Sequence, residues 1–472
     1  MHTALESMAI AKLQARLRGD VICPGDARYE RSRRVWNGRM NRYPALIVYC
    51  ADPDDILTTI DFARSVGLPI TVRSGGHSMV GLSVGNGVLV IDLSRQKGIQ
   101  VDPWTGIARV QAGLTLGAFA QATQVYGLAT TTGTVAGTGL GGLTLGGGIG
   151  WLMGKYGLTV DNLLSVDLVT ADGQRLSANA TEHSDLFWGL RGGGGNFGVA
   201  TAFAFQLHLV ETVLAGKISY PLSQAREVLR FYRELTRAAP DELTAYAALT
   251  TTVHGIPEIS ISLCYAGPLA LGERLVGPLR TFGAPLVDLV HPRPYLQTIS
   301  SDAGDPDGRH FYEQACSLQE LGDDVIDLIA DFSAARTSPA SQVLIQHVHG
   351  AARRVSPAAT AFALREVPYV MNIIAAWNAD DAHEAEMHME WVRAFQTALL
   401  PFTLKGVYTN FLGEEGEEQV RASYGVNYER LVALKNTYDP GNTFHFNPNI
   451  QPTSTLSSNE ARGKEKASCG RR

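Results

Sequence analysis

Between Thr131 and Gly150 the chain reads TTGTVAGTGLGGLTLGGGIG, with glycine at 133, 137, 139, 141, 142, 146, 147, 148 and 150. Each glycine in a helix interior costs about 1 kcal/mol against alanine, so this density argues against an ordinary helix. It is the pattern of a backbone that must approach a ligand closely. Two further segments share it: RSGGHS at Arg73–Ser78 and RGGGGNFG at Arg191–Gly198. Backbone N–H groups in such loops form anion-binding nests. Three of them in one chain point to one large phosphate-bearing cofactor.

Gly137-Thr138-Gly139-Leu140-Gly141-Gly142 has the form G-x-G-x-x-G, and Asp161 follows about 20 residues on. Taken alone this suggests a Rossmann site and a nicotinamide-dependent dehydrogenase. That motif should open a helix early in a βαβ series. Here it runs into LTLGGGIG, which reads as non-helical, far from the start of any such series.

The 472 residues, 45% hydrophobic and 18% charged, suit a globular chain of two or more domains. A net charge of −6 leaves no basic footprint for nucleic acid. No apolar run is long enough to span a bilayer. The N-terminal MHTALESMAIAKLQARLRGD reads as an amphipathic helix and not a signal peptide, so a cytoplasmic location is expected. Cys23, Cys50, Cys264, Cys316 and Cys469 are scattered, which supports neither a disulfide framework nor a structural zinc site.

Ala45–Cys50, Leu68–Arg73, Val88–Leu93 and Ile107–Ala112 are expected strands. Leu163–Thr170 is expected to enter a hairpin at Ala171-Asp172-Gly173, and Val199–Val210 to form one long strand. Asp52–Val66 is an expected helix: Asp52 is a natural N-cap, Pro53 suits the first position, and Asp54 and Asp55 fall where the macrodipole favours acids. After about residue 212, helical stretches Ser223–Ala238 and Asp380–Leu400 mix with strands Glu258–Tyr265 and Val343–His349. A helix over Gln419–Tyr438 closes at Asp439-Pro440-Gly441, and the polar residues after 452 have the composition of a disordered tail.

Six blocks carry a resemblance. They are R-S-G-G-H-S at 73–78, G-G-L-T-L-G-G-G-I-G at 141–150, K-Y-G-L-T-V-D-N-L at 155–163, D-L-F-W-G-L-R-G-G-G-G-N-F-G-V at 185–199, Y-G-V-N-Y-E-R-L at 424–431 and Y-D-P-G-N-T-F-H-F-N-P-N-I at 438–450. In this order they resemble the FAD-linked oxidases of the vanillyl-alcohol-oxidase fold, specifically the berberine-bridge-enzyme-like group, with a pattern similar to bacterial tailoring oxidases of secondary metabolism. The resemblance implies an α+β chain. Its PCMH-type FAD-binding domain would have two subdomains, drawn from 1–211 and 412–452. An α+β substrate domain, an antiparallel sheet backed by helices, would be inserted at 212–411, with a tail at 453–472.

It also implies FAD joined through an imidazole nitrogen of His77. Arg73, Ser74, Gly75, Gly76, His77 and Ser78 would wrap the pyrophosphate, and Gly137, Thr138, Gly142, Thr144, Gly147 and Gly148 would line the flavin. Asn162 and Val199 would reach the cofactor through backbone or amide groups, and Asn447 and Asn449 from the C-terminal segment. Many members carry a second link from a cysteine; Val135 stands there, so a single link is expected. Thr138 falls where the family controls oxygen access.

Taking hydride from a C–H bond requires a base for the alcohol or amine proton. Tyr408, in Tyr408-Thr409-Asn410, matches the family's Y-x-N motif and is the first candidate; Tyr369 is the second. Either could instead be a packed tyrosine with its hydroxyl satisfied. A phenol, with a reference pKa of about 10, would need that value lowered to serve. On Val343–His349, period two puts Val343, Ile345, His347 and His349 on one face, so the two histidines address either the flavin or solvent. A metal site would need a third ligand that the sequence does not place. The implied activity is that of an oxidase acting on an alcohol, amine or activated C–H of a small molecule, with O2 as acceptor and H2O2 as product. An oxygenating tailoring enzyme of polyketide type and a non-catalytic FAD-fold binding protein are the alternatives. A monomer or homodimer is expected.

Overall fold

Asp52 starts the first long helix as a cap should: its side chain accepts the backbone N–H of Asp54 at 2.9 Å and of Asp55 at 3.1 Å. The helix runs Pro53–Val66 and stops at Gly67, whose φ of 69° only glycine adopts freely. Asp55 does more than meet the macrodipole. It is buried and accepts the N–H groups of Arg18, Gly19 and Ala51. The computed structural model describes residues 7–299, 308–413 and 416–453. Beyond its first residue, the expected tail lies outside the described residues.

The helix packs on a four-stranded sheet in which Leu46–Tyr49 and Ile70–Arg73 both run parallel to Leu89–Asp92 between them. A second, antiparallel sheet orders Ile99–Asp102, Ile107–Gln111, Val199–Gln206, Leu163–Val169 and Arg175–Asn179. One apolar core joins the two, with Val48 and Ile91 from the first and Val110, Phe203 and Phe205 from the second. The expected hairpin forms, with Thr170 N donating to Gln174 O at 3.0 Å and Gly173 at φ 86°.

Thr212–Pro221 opens a nine-stranded sheet, and Thr403–Leu404 pairs with Leu318 and Ser317 at its far edge. Helices Ala225–Arg237, Asp323–Ala334 and Ala385–Leu399 cover one face. On the first of these, Ala225, Val228, Leu229, Tyr232 and Thr236 form the buried stripe expected of helical spacing. The other face turns toward the glycine loops. In Gln342–His347, Val343 and Ile345 pack under the helices while Leu344 packs with Ile149 and Tyr408. Both faces are therefore covered, and every residue of Tyr369–Trp377 is buried. The fold is α+β, as expected.

Four expectations need correction. The glycine-rich segment does contain a helix, Leu140–Leu145, just long enough to hold two of its glycines before Gly146 ends it. The strand from Val199 breaks after Gln206: Leu207 N donates to Gly106 O, and His208–Leu209 then pairs with Leu128–Ala129 in another sheet. The last helix is two, Glu417–Tyr424 and Tyr428–Tyr438, split where Gly425 takes φ 51°. The strand toward His349 ends at His347, and Val348 N turns to Pro368 O. No helix among the described residues is long and apolar enough to cross a membrane.

Candidate active site

The three glycine loops meet. A Cβ on Gly75 would lie 2.3 Å from Gly139 N, and one on Gly139 would lie 2.3 Å from Gly75 N, so the first and second loops touch backbone to backbone. The third loop closes on the second: Gly192 N and Gly194 N both donate to Leu145 O at 3.0 Å. The C-terminal segment locks on in turn. Asn196 donates to Pro448 O and accepts from Ile450 N. Lys435, fully buried, pairs with Asp439 at 2.7 Å and donates to Asn196 O and Phe444 O.

His77 stands within the first loop. Its ring stacks on Trp36 at 4.6 Å, and Trp36 stacks on Phe311 of the inserted sheet at 4.3 Å. Asn37 fastens this column, accepting from Phe311 N and donating to Phe311 O, each at 3.0 Å. Burial lowers the His77 pKa to about 4, which leaves the imidazole neutral. At Gly147 and Gly148 the backbone takes φ of 128° and 82°. The Tyr408 hydroxyl holds this turn, accepting Gly148 N–H at 2.8 Å and an Asn410 amide N–H at 2.7 Å.

Buried polar atoms are nearly always hydrogen-bonded. Around the loops a group of them is not: His77 Nε2, Thr130 Oγ1, Thr131 Oγ1, Thr144 Oγ1, Asn447 Oδ1 and Asn449 Oδ1. The loop-facing side of the inserted sheet adds Tyr246 OH, Ser317 Oγ, Gln346 Oε1 and Asn372 Oδ1. Asn372 also donates to the Glu313 carboxylate, and both side chains are buried. Such a set, split between two facing walls, fits a large ligand with many polar groups.

Two family models match the chain, one described as FAD binding domain over residues 44–179 and one as berberine and berberine like over residues 407–451. The FAD-linked oxidoreductase YgaK of Bacillus subtilis is 31% identical over 93% of this chain and 98% of its own length. This chain belongs to the berberine-bridge-enzyme-like family of FAD-linked oxidoreductases. The (R)-6-hydroxynicotine oxidase of Paenarthrobacter nicotinovorans is 30% identical over 92% of this berberine-bridge-enzyme-like chain and 97% of its own. The crystal structure of 6-hydroxy-D-nicotine oxidase from Arthrobacter nicotinovorans matches with a TM-score of 0.85 at 29% identity, covering 92% of this chain and 98% of that one. Berberine bridge enzyme from Eschscholzia californica shares the fold, with a TM-score of 0.85 at 22% identity, covering 94% and 99%.

The residues present fit FAD. The glycine backbones bring the loops together with no side chains between them, and the unpartnered atoms at His77, Thr144, Asn447 and Asn449 lie on positions that the motifs singled out. Gly76 takes φ 66°, and a Cβ on Gly142 would meet nothing within 4 Å. Thr138 is half-buried where the loops touch, its N–H donating to Val135 O and its carbonyl accepting from Leu116 N. Gly137 is half-buried beside it.

Other expected residues of this flavoenzyme have different duties. The Arg73 guanidinium is buried in an ion pair with Asp92 at 2.5 Å and donates to Ser32 O, so its side chain braces the loop from behind. Ser74 Oγ donates to Ala112 O at 2.6 Å, and Ser78 Oγ accepts from Leu82 N at 3.4 Å. The Asn162 amide is spent internally, donating to Tyr156 O and Leu158 O and meeting His208 Nε2 at 2.7 Å. Val199 is a buried strand residue aligned with Val169.

Tyr369 and His347 are corrections. They pair across their strands on the helix-covered face, where Tyr369 OH meets Thr236 Oγ1 at 2.7 Å. Period two had grouped the right residues, but on the side away from the loops. The side facing the loops carries Gln346, Asn372, Tyr246 and Glu313 instead. Glu313 was legible as a lone carboxylate within the strand sequence HFYEQACSL.

Proposed function

We propose that this flavoenzyme is an oxidase that removes hydride from an alcohol, amine or activated C–H of a small molecule, a secondary metabolite, with FAD linked singly to His77. The observation that carries the reading is His77 Nε2, buried and without a partner on a neutral ring stacked against Trp36. A neutral imidazole has the lone pair that a covalent bond to the cofactor requires. The free cysteines Cys50, Cys264 and Cys316 are buried, and Val135 leaves the usual second anchor without a thiol. Relatives named as oxidases of 6-hydroxynicotine and of xylooligosaccharides support the reaction type.

When bound, FAD supplies the hydride acceptor and, through O2, the route to H2O2. The chain supplies the rest. The loops and the inserted sheet exclude water between them, and Thr138 borders the approach for oxygen. Tyr408, fully buried, has its pKa pushed up to about 12 and already accepts two hydrogen bonds, so we assign it to holding the Gly147–Gly148 turn. The proton acceptor in this reading is the Glu313 carboxylate, oriented by Asn372 on the opposite wall. Gln346 and Tyr246 offer neighbouring polar contacts for the substrate.

The test is acid precipitation of purified protein with intact mass. Yellow colour kept in the pellet, with one FAD of added mass that is absent from His77→Ala, supports the link. Colour released to the supernatant would remove the His77 role and leave an FAD enzyme. Peroxide formed in proportion to substrate consumed separates an oxidase from an oxygenating enzyme.

A further inference from the structure

The inserted domain has a second polar cavity, which the flavin site does not use. It lies where the last turn of helix Ala225–Arg237 passes over the end of strand Gln342–His347, the start of Tyr369–Trp377 and the loop after His310–Leu318. Its volume is about 410 Å³, within the usual size of a small-molecule site. Arg233, Arg237 and Arg353 line it against one acid, Glu320. Arg233 is paired with Asp323 and Glu234, and Arg237 with Glu234 and Glu320. Among the described residues Arg353 meets no carboxylate; its guanidinium donates to Glu366 O at 3.1 Å.

The floor of the cavity is imidazole. His347 is 6% exposed, and its Nδ1 has no hydrogen-bond partner. Its ring is held between His349, stacked at 4.8 Å, and Tyr369 at 5.2 Å. His349 is fixed in turn by Thr244 Oγ1 at 3.2 Å. A buried, unpartnered ring nitrogen is costly unless something in the cavity completes it. The surrounding arginines set the sign of that partner.

We propose that this cavity binds the phosphate or carboxylate group of a small metabolite, with Arg353 and Arg237 supplying charge and the His347 imidazole a directed hydrogen bond. The site is independent of the flavin: Val343 and Ile345, which share the face of His347, pack under the helices, not against the glycine loops. Burial, with added repulsion from His349 and Arg353, lowers the His347 pKa to about 3, so the ring acts as a neutral donor.

Calorimetric titration of the flavin-loaded protein with inorganic phosphate, and separately with succinate, in a zwitterionic buffer tests this. One saturable site for either anion is expected, weakened about tenfold or more in Arg353→Gln and in His347→Gln, since each substitution removes a charged or buried donor. Arg353 is exposed, so its variant does not endanger the fold, and Arg353→Lys should retain part of the affinity. Phosphate binding alone assigns a phosphate-bearing ligand, and succinate binding alone a carboxylate. No saturable binding of either anion overturns the proposal. So does binding that survives Arg353→Gln unchanged.

Discussion

Arg365 and Asp161 form a buried, two-pronged ion pair, with both contacts at 2.7 Å. Arg365 lies in the connection between strands Gln342–His347 and Tyr369–Trp377 and is fully buried, while Asp161 follows the second glycine loop and also accepts Leu158 N–H at 2.8 Å. The acid that in a dinucleotide fingerprint would meet a ribose here ties the glycine-loop region to a connection of the nine-stranded sheet. Asp161→Ala would leave a buried guanidinium without its charge partner. Breaking such a pair costs about 3–5 kcal/mol. Urea unfolding should show a loss of that order, and Asp161→Ala with Arg365→Met together should lose less than the sum of the two single changes.

Gly75→Ala would force a methyl group to within 2.3 Å of Gly139 N, with backbone on both sides and nothing flexible to give way. The first and second loops must then part. The expected result is folded protein with little bound flavin, read as a fall in the ratio of visible to ultraviolet absorbance. Gly142→Ala, where a Cβ meets nothing within 4 Å of protein, distinguishes room kept for cofactor from room between loops. It should fold as the parent does and lose flavin only.

Tyr408→Phe removes the acceptor for Gly148 N–H in a buried site, a change worth about 1–3 kcal/mol. As a loop-holding residue it should lower flavin affinity and leave the shape of the pH–rate profile alone. Glu313→Gln should do the opposite, keeping the flavin and lowering turnover by the 10²–10⁴-fold typical of a lost general base. If Tyr408→Phe shows that larger fall with flavin fully retained, the two assignments exchange.

His347 and His349 make stability depend on pH in a defined direction. Burial is the main cause lowering them, to about 3 and about 4. In the unfolded chain they titrate near 6.5. Above about pH 6.5 both states are neutral and the contribution vanishes. Below it the unfolded chain binds more protons, so stability falls as pH drops toward the folded values. Each histidine adds a slope approaching about 1.4 kcal/mol per pH unit. Denaturation between about pH 6.5 and about pH 5 should show the decline, and the double variant His347→Gln/His349→Gln should make it shallower, the remainder coming from other buried histidines such as His77.

Much of this was legible because its causes are local. The Asp52 cap, Pro53 and the acids of the first turn are set by neighbours in sequence. His77 and Thr144, which carry unpartnered atoms, stand among the glycines of the backbone-exposing loops, and Asn447 and Asn449 stand in the C-terminal motif. What escaped depends on pairing across distance. Period two grouped His347 with Ile345, yet both faces of that strand are buried, so no polar face marked which side meets the cofactor. Glu313 and Asn372 become neighbours only through the pairing of His310–Leu318 with Tyr369–Trp377. Asn162, singled out by its motif, had a local duty: it closes the Tyr156–Leu158 turn.

The joint between Asn196 and the segment Pro448–Ile450 has a consequence for biosynthesis. His77 leaves the ribosome early, but the wall bearing Asn447 and Asn449 is among the last parts made. At about 5–20 residues per second, the nascent chain spends on the order of twenty seconds or more with half a slot. During that interval the first glycine loops are exposed and the inserted domain can fold beside them. The slot is therefore completed only at the end of synthesis, and truncation just short of Asn447 should yield a protein that folds in its sheets yet emerges colourless.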